Sequence, residues 1–291
     1  MSGAKGLLAL LLLLIPASAQ TFSGEQALAY TKRAVEFGPR PPNSAAIRKL
    51  EAFIRAEVRK LGWELVPDEF TASTPLGPMK MSNVIARRKG TSGKAVVFSG
   101  HYDTKLMPGA AFVGANDGGS STGFLLEMAR ALSTRKLKHD VYLVWFDGEE
   151  AIGEWSSTDG LHGSRHLAER WAKEGFLTRI VALINVDMIG DAALGILREA
   201  GSARSLQNLV WDTAHSLGYR AQFLPDSYFV EDDHAPFVRQ GVNAIGLIDF
   251  DYGPGNRYWH TGKDTVDKLS PKSFETVGRT LLAVLDSLER R

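Results

Sequence analysis

Short runs of consecutive apolar residues alternate with amphipathic stretches along most of the chain. The apolar runs have the length and continuity of strands that are buried on both faces, and they lie at residues 95–99, 141–146, 180–186 and 244–248. The amphipathic stretches repeat their apolar residues with helical spacing, and they lie at residues 122–132, 163–171, 205–217 and 274–288. Because strands that alternate with helices favour parallel pairing, we predict an α/β fold: a single domain with an open, twisted, mostly parallel sheet flanked by helices.

The region before residue 95 has a different pattern, which predicts a mixed edge for this sheet. Helical patterns cover residues 24–37 and a second stretch that closes at Gly62. Residues 63–70 and 81–87 are typical of strands in a hairpin or meander, with a connection that contains proline and glycine between them. We expect the two helices to pack on the outside of the sheet.

The first twenty residues have the composition of a targeting segment. They combine a basic start at Lys5, an apolar run at 7–15 and the small residues Ala17-Ser18-Ala19. This arrangement is typical of a secretory signal peptide, and the apolar run is much shorter than the ~20 residues that a membrane span needs. We therefore predict a signal peptide at residues 1–19, a single catalytic domain at residues 20–291, and an exported protein, periplasmic or secreted, with no membrane span after cleavage.

Charge and cysteine content exclude several classes of function. The formal net charge is +1 and no basic patch is interleaved with aromatic residues, so we expect neither nucleic acid nor an anionic membrane as a partner. The chain has no cysteine, which excludes disulfides, thiolate metal sites and cysteine-based catalysis. We expect a monomer whose fold depends on core packing.

Acidic residues and histidines come directly after the predicted strands or in loops next to them: His101, Asp117, the pair Glu149-Glu150, Asp187 and His260. In open α/β sheets, ligands bind outside the carboxyl ends of the strands. Each of these residues alone is commonly a helix cap, a turn residue or a solvated side chain. Together at one sheet edge they favour a metal site. Oxygen and imidazole ligands without sulfur suit zinc best, with other divalent metals left open.

Four sequence motifs give the chain a resemblance to a known family. They are HYDTK at 101–105, GEEAIGEWSSTDGLHGSRHLA at 148–168, EDDHAPF at 231–237 and WH at 259–260. In this order they resemble the zinc-dependent aminopeptidase superfamily, the family 28 metallopeptidases. Within it the chain is most similar to the glutaminyl-peptide cyclotransferases (glutaminyl cyclases), which convert N-terminal glutamine to pyroglutamate. The most specific feature is the long loop that carries Trp155, because the peptidases of the superfamily have a shorter connection there.

The resemblance implies the chemistry of the site. The implied roles are ligands of one catalytic zinc ion (Asp117, Glu150 and His260), a proton shuttle with its hydrogen-bonded partners (Glu149, with Asp187 and Asp232), and walls of the substrate pocket (Trp155 and Trp259). The implied substrates are peptides or proteins with N-terminal glutamine, which cyclise with release of ammonia. Because the nucleophile is the substrate's own amine, neither an activated water nor a second metal is needed.

Two other functions stay open at this point. His101 and Asp187, with Asp103, would supply a second metal in a two-zinc aminopeptidase that releases N-terminal residues, whereas in the cyclases such residues resemble supports of the site. A binding module that has lost catalysis would be expected to lose ligands, and here they are all present. The chain departs from the cyclase pattern at Glu231, where a neutral amide is usual, and at Gly246, where a histidine is often found.

Three further polar residues in the matched motifs are assigned no role in the site. Lys105 is expected to be a surface lysine. His166 and His234, at predicted helix starts, are expected to be structural.

Overall fold

The computed structural model of the chain describes residues 21–290. The predicted signal peptide at residues 1–19 lies outside the described residues. Within the described range, no helix is long and apolar enough to cross a membrane.

The described part of the chain contains ten strands and seven α-helices. The strands are β1 (Glu64–Val66), β2 (Glu69–Thr74), β3 (Gly77–Ser82), β4 (Val84–Arg88), β5 (Ala95–His101), β6 (Asp140–Phe146), β7 (Ile180–Asp187), β8 (Ile196–Glu199), β9 (Phe223–Tyr228) and β10 (Ala244–Ile248). The helices are α1 (Gly24–Val35), α2 (Ala45–Lys60), α3 (Gly119–Leu132), α4 (His162–Lys173), α5 (Arg204–Ser216), α6 (Ala235–Arg239) and α7 (Pro271–Arg290).

Six of the strands form the central sheet in the order β1-β4-β6-β5-β7-β10. The neighbours β6, β5, β7 and β10 pair in parallel, whereas β1, β4 and β6 pair antiparallel. The prediction of a mostly parallel sheet, mixed at one edge, is therefore confirmed. The four parallel strands are the apolar runs of the sequence, and β5, β6 and β10 are buried along their whole length because helices cover both faces.

The helices divide between the two faces of the sheet. Helices α1, α2, α3, α5 and α7 bury their apolar stripes in the larger core, where Phe98, Leu126 and Leu281 are fully buried. Helices α4 and α6 cover the opposite face, where the rings of Trp171 and Phe237 lie 6.0 Å apart. Full burial of a large apolar side chain is worth about 1.5–3 kcal/mol. The two cores, one on each face of the sheet, therefore hold the ends of the strands and the loops that follow them in fixed positions.

The strands before residue 95 are shorter and more numerous than the sequence indicates. The predicted strand at 63–70 is interrupted at Pro67 and Asp68, and the predicted strand at 81–87 is interrupted at Asn83. The two interruptions meet in the interior, where Asn83 Nδ2 donates a hydrogen bond of 2.7 Å to Asp68 Oδ2. As a result β2 and β3 form a separate two-stranded hairpin.

A second small sheet, in which β8 and β9 pair in parallel, is not predicted by the apolar pattern. Strand β9 contains Pro225 and three consecutive exposed residues. It therefore shows neither alternation nor a continuous apolar run, which are the two sequence signals of a strand.

Candidate active site

The three residues predicted as ligands of one zinc ion lie at the carboxyl edge of the parallel strands, together with His101 and Asp187, which would be ligands only in the two-zinc alternative. His101 is the last residue of β5, Asp187 is the last residue of β7, and Glu150 follows β6. Asp117 lies just before α3, and His260 lies in the loop between β10 and α7. Parallel strands bring their carboxyl ends to one edge of a sheet, which is why residues distant in the sequence meet here.

Asp117, Glu150 and His260 form one group of candidate metal ligands. Their ligand atoms all lie within 4.8 Å of one another. His260 Nε2 is 3.2 Å from Asp117 Oδ2 and 3.0 Å from Glu150 Oε1. Two carboxylates and one imidazole from three separate loops are the kind of three-residue ligand set that a catalytic zinc ion uses.

A second group shares Asp117 with the first. The ligand atoms of His101, Asp117 and Asp187 also lie within 4.8 Å of one another. His101 Nε2 is 3.3 Å from Asp117 Oδ1 and 3.1 Å from Asp187 Oδ1. The two oxygens of Asp117 therefore face different groups, Oδ2 toward His260 and Oδ1 toward His101.

Asp103 holds the loop that carries the two glutamates. Its fully buried carboxylate accepts hydrogen bonds from the backbone amides of Glu149 (3.2 Å to Oδ1) and Glu150 (3.2 Å to Oδ2). The same carboxylate lies 3.4 Å from Nδ1 of His101. Asp103 thus supports the site through the backbone, as the resemblance to the cyclases implies.

Asp264 holds the loop that carries Asp117, through hydrogen bonds to its backbone. Its carboxylate accepts hydrogen bonds from the backbone amides of Asn116 (2.8 Å) and Asp117 (3.1 Å). The next residue, Gly118, has a φ of +78°, and a Cβ there would lie 2.3 Å from the carbonyl oxygen of Asp103, so this turn needs glycine. Asp264 is not predicted from the sequence, because a single aspartate in a polar loop gives no periodic or spacing signal.

His260 is presented by a backbone conformation that is uncommon for a residue with a side chain. Its φ is +50°, and Met188, which follows Asp187, has a φ of +48°. Positive φ at non-glycine residues costs energy and clusters at functional sites. The imidazole of His260 is also stacked on the indole of Trp259, with centroids 4.0 Å apart and an interplanar angle of 22°.

Opposite charges set the pKa values of the first group of ligands. Burial alone would lower the pKa of His260, but the carboxylates of Asp117 and Glu150 outweigh it and raise the pKa to about 9. Burial alone would raise the pKa of Asp117, but the two adjacent imidazoles hold it well below its usual range. The group therefore has an electrostatic environment that favours a cation.

Glu149 is buried beside these ligands, with 8% of its surface exposed. Burial raises the pKa of its carboxyl well above the usual value, and the carboxylates of Glu150 and Asp232 raise it further. The imidazole of His101 opposes this shift. A carboxyl group with a raised pKa next to a candidate metal site suits proton transfer near neutral pH.

Asp187 and Asp232 lie in the same cavity as Glu149 but are held by other partners. Asp187 Oδ1 contacts His101, and burial raises the pKa of Asp187 to about 7. Asp232 accepts two hydrogen bonds, of 3.0 and 2.9 Å, from Asn185 Nδ2. Among the described residues, neither carboxylate is hydrogen-bonded to Glu149, so the predicted partnership with the shuttle stays a prediction.

The ligand groups and Glu149 open into a cavity of about 550 Å³. Trp155 and Trp259 line it, together with residues that were not predicted from the sequence as part of the site: Lys105, Glu154, Phe229, Val230, Glu231, Ile248 and Phe250. The expectation of a surface position for Lys105 is wrong, since its Nζ lies in the cavity 3.9 Å from Glu150 Oε2. The sequence offered one signal that Lys105 lies near the site, which is its position two residues after Asp103.

The two departures from the cyclase pattern have neighbours that account for them. Glu231 is paired with Arg239 at 2.7 Å. A Cβ at Gly246 would lie 2.7 Å from Nδ1 of His234, whose Nε2 is 2.9 Å from Glu199 Oε2. The buried pair of His234 and Glu199 therefore occupies the space next to Gly246, in keeping with a structural role for this histidine.

Comparisons with known proteins agree with this geometry. The sequence model of peptidase family M28 matches residues 83–285, a range that includes every candidate ligand. The glutaminyl-peptide cyclotransferase-like protein of Bos taurus is 32% identical over 280 residues, 84% of this chain and 71% of the relative. The glutaminyl-peptide cyclotransferase of Drosophila melanogaster is 33% identical over 243 residues, 75% of this chain and 68% of the relative.

Solved structures of glutaminyl cyclases superpose on the fold. That of an Acidobacteriales bacterium has a TM-score of 0.91 at 37% identity and covers 99% of this chain and 100% of its own. That of Porphyromonas gingivalis has a TM-score of 0.85 at 29% identity and covers 92% of this chain and 99% of its own. The chain therefore belongs to peptidase family M28 and, within it, to the glutaminyl-peptide cyclotransferases.

Proposed function

We propose that this chain is a zinc-dependent glutaminyl-peptide cyclotransferase, which converts the N-terminal glutamine of peptides or proteins to pyroglutamate and releases ammonia. One observation carries the proposal: Asp117, Glu150 and His260 converge on a cavity in which Glu149 is buried beside them. The similarity to proteins named glutaminyl-peptide cyclotransferases, which extends over most of the chain, supports cyclisation as the reaction.

The residues of the first group fit a zinc ion. Two carboxylate oxygens and one imidazole nitrogen, without sulfur, form a donor set that zinc accepts, and these three residues would hold the ion and leave room for a substrate atom. Asp117 and Glu150 are anchored through their backbone amides by Asp264 and Asp103, so the ligands are positioned before a metal binds. A zinc ion, when bound, supplies a Lewis acid that polarises the γ-carbonyl oxygen of glutamine.

The chain's own residues account for the proton transfers. The neutral α-amine of the substrate attacks the γ-carbonyl carbon, a new bond between carbon and nitrogen forms, and the bond to the carboxamide nitrogen breaks. Glu149 accepts the proton of the attacking amine and delivers it to the departing nitrogen, which leaves as ammonia. This role is worth about 10²–10⁴ in rate. Trp155 and Trp259 confine the glutamine side chain and exclude water, which favours ring closure over hydrolysis.

A two-zinc aminopeptidase is the second candidate, because one observation favours it. His101, Asp117 and Asp187 form a complete second group of ligand atoms. Metal analysis distinguishes the two functions. One zinc ion per chain supports the cyclotransferase, whereas two zinc ions with release of a free N-terminal residue support the aminopeptidase.

Peptides that differ only in their first residue test the reaction directly. The purified protein is incubated with a peptide that begins with glutamine and with the same peptide beginning with leucine, and the products are identified by mass. We expect loss of ammonia from the glutamine peptide and no change in the leucine peptide. Release of leucine, or of intact glutamine, would contradict the proposal.

The proposal includes the boundaries of the mature protein and its export. Residues 1–19 are a signal peptide, residues 20–291 are the catalytic domain, and the enzyme acts outside the cytoplasm. The mass of the protein recovered from the periplasm or the medium tests this. We expect an N-terminus at Gln20, as glutamine or as the pyroglutamate that its own activity would form.

A further inference from the structure

A loop of residues 151–161, here called the Trp155 loop, forms one wall of the cavity. Trp155 lines the cavity, yet 42% of its surface is exposed. Its ring lies against Gly160, where an added Cβ would be 3.0 Å from both Cε3 and Cζ3 of the indole. Gly160 has a φ of +99°, a conformation that side chains other than glycine rarely adopt. The position of the indole therefore depends on the conformation of this loop.

Asp159 lies inside the loop and joins its two halves. Its side chain is buried, and it accepts hydrogen bonds from the backbone amides of Ile152 (2.9 Å to Oδ1) and Gly153 (2.7 Å to Oδ2). The backbone carbonyl of Asp159 accepts a further bond of 3.1 Å from the amide of Ser156. His162 Nε2 lies 3.2 Å from Asp159 Oδ1. The aspartate thus holds backbone on both sides of Trp155.

The electrostatics agree with an ionised, fixed carboxylate. Burial raises the pKa of Asp159, but its hydrogen bonds to the amides of Gly153 and Ile152 outweigh this and keep the pKa below the usual value. Charge-assisted hydrogen bonds of this kind are about twice as strong as neutral ones.

The ends of the loop are attached to the catalytic segment. The amide of Leu161 donates to the carbonyl of Glu149 (2.7 Å), and the amide of His162 donates to the carbonyl of Gly148 (2.7 Å). Arg165 of α4 donates to the carbonyl of Ser157 at 2.7 Å. The loop therefore begins and ends on fixed backbone. Between these points the carboxylate of Asp159 holds the backbone before Trp155, and Arg165 holds the backbone after it.

We propose that Asp159 is a positioning residue, which holds Trp155 as a wall of the substrate cavity through its hydrogen bonds to the amides of Ile152 and Gly153. The inference rests on the proposed function in one respect, that substrate occupies the cavity lined by Trp155. Asp159 itself contacts neither the ligand groups nor Glu149 in the described structure.

The substitution Asp159→Asn tests the inference, because asparagine offers one acceptor oxygen where aspartate offers two. The amide of Ile152 or of Gly153 would then face an NH₂ group and lose its hydrogen bond. The backbone of the loop would no longer be held in its present conformation. We expect kcat/KM for a glutamine peptide to fall by about 10- to 100-fold, mostly through KM, because misplacement of a group that positions substrate has costs of this size. Zinc content should stay at the wild-type value.

A double-mutant cycle separates positioning of Trp155 from a general effect on the fold. If Asp159 acts through Trp155, adding Asp159→Asn to Trp155→Ala should change kcat/KM by less than about twofold. A full additional loss in the Trp155→Ala background would overturn the inference. If Asp159→Asn folds poorly, Gly160→Ala serves as the second variant. It places a methyl group against the indole of Trp155 without changing Asp159, and it should cause the same increase in KM.

Fluorescence tests the same inference without any assay of activity. The chain has six tryptophans, so the difference between the protein and its Trp155→Phe variant isolates the signal of Trp155. Asp159→Asn should increase quenching of this signal by acrylamide, whereas Asp226→Asn, on the exposed part of β9, should not. Unchanged quenching would overturn the inference. Absence of cyclase activity in the wild type would instead refute the proposed function and leave the fluorescence test valid.

Discussion

Replacing Glu149 by glutamine separates proton transfer from metal binding. Glutamine has nearly the same size and shape as glutamate, and the bond from the amide of residue 149 to Asp103 Oδ1 (3.2 Å) does not involve the side chain. The adjacent ligand Glu150 is unchanged. The substitution therefore removes a group that can accept and deliver a proton, and leaves the candidate zinc ligands in place.

The expected loss of rate in Glu149→Gln follows from the proposed role of Glu149 as a proton shuttle. A positioned general acid and base contributes about 10²–10⁴ in rate, which corresponds to about 3–5 kcal/mol of barrier at 1.36 kcal/mol for each factor of ten. We expect kcat of Glu149→Gln to fall by this factor with little change in KM. Burial and neighbouring carboxylates raise the pKa of Glu149, so its charge costs stability at neutral pH. In the zinc-free form, the variant should therefore unfold at the same temperature as the wild type or higher.

Ammonia release, zinc content and thermal unfolding are measured on the same preparations. Glu169→Gln, on the exposed surface of α4, is the matched control and should behave as the wild type. A Glu149→Gln variant that retains zinc and more than about one tenth of kcat would refute the role of shuttle. Loss of zinc from this variant would show that residue 149 is a ligand.

Three further predictions concern metal affinity and stability. In the zinc-free protein the pKa of His260 is about 9, and zinc requires the neutral imidazole, so zinc affinity should rise with pH up to about 9 and binding should release a proton. Burial raises the pKa of Asp249 to about 7, so its charge destabilises the fold as pH rises from about 4 to 7. Asp249→Asn should therefore stabilise the protein by about 2–4 kcal/mol more at pH 8 than at pH 4. Gly246→Ala places a Cβ 2.7 Å from Nδ1 of His234 and should destabilise the fold by about 1–3 kcal/mol.

Each of these predictions has its own measurement. Chelator competition at several pH values measures the zinc affinity, and an affinity independent of pH would contradict a protonated His260. Thermal unfolding at the two pH values tests Asp249→Asn, where equal stabilisation at both would exclude a raised pKa as the cause. For Gly246→Ala the control is Gly195→Ala, where the nearest atom to an added Cβ is 3.4 Å away and little change is expected.

The sequence predicted the sheet and the ligand groups because both depend on strong local patterns. Each parallel strand is a continuous apolar run, and His101, Glu150 and Asp187 stand at or just after the ends of such runs. Once the strands are parallel, the geometry of the sheet brings these ends together, so position in the sequence was enough to place these three residues at one edge. The ligand roles of Asp117 and His260, which lie in loops, were implied by the family resemblance.

The parts that the sequence did not predict depend on how loops fold back on the site. Asp264 is separated from Asp117 by 147 positions and gives no local signal, although it holds that ligand through the backbone. Phe229 and Phe250 line the cavity from loops whose path is determined by tertiary contacts. Strand β9 carries a proline and exposed residues, so its pairing with β8 is likewise determined by its neighbours.

The distance in sequence between the candidate ligands of the first group has a consequence for the order of folding and metal binding. Glu150 and His260, whose side chains lie 3.0 Å apart, are separated by 110 positions, and two strands of the central sheet, β7 and β10, lie between them in the sequence. No short segment of the chain therefore carries this group of candidate ligands complete, and an unfinished chain lacks the site. A metal ion could bind through these residues only after the chain has folded, so the metals available where folding takes place would decide which ion binds.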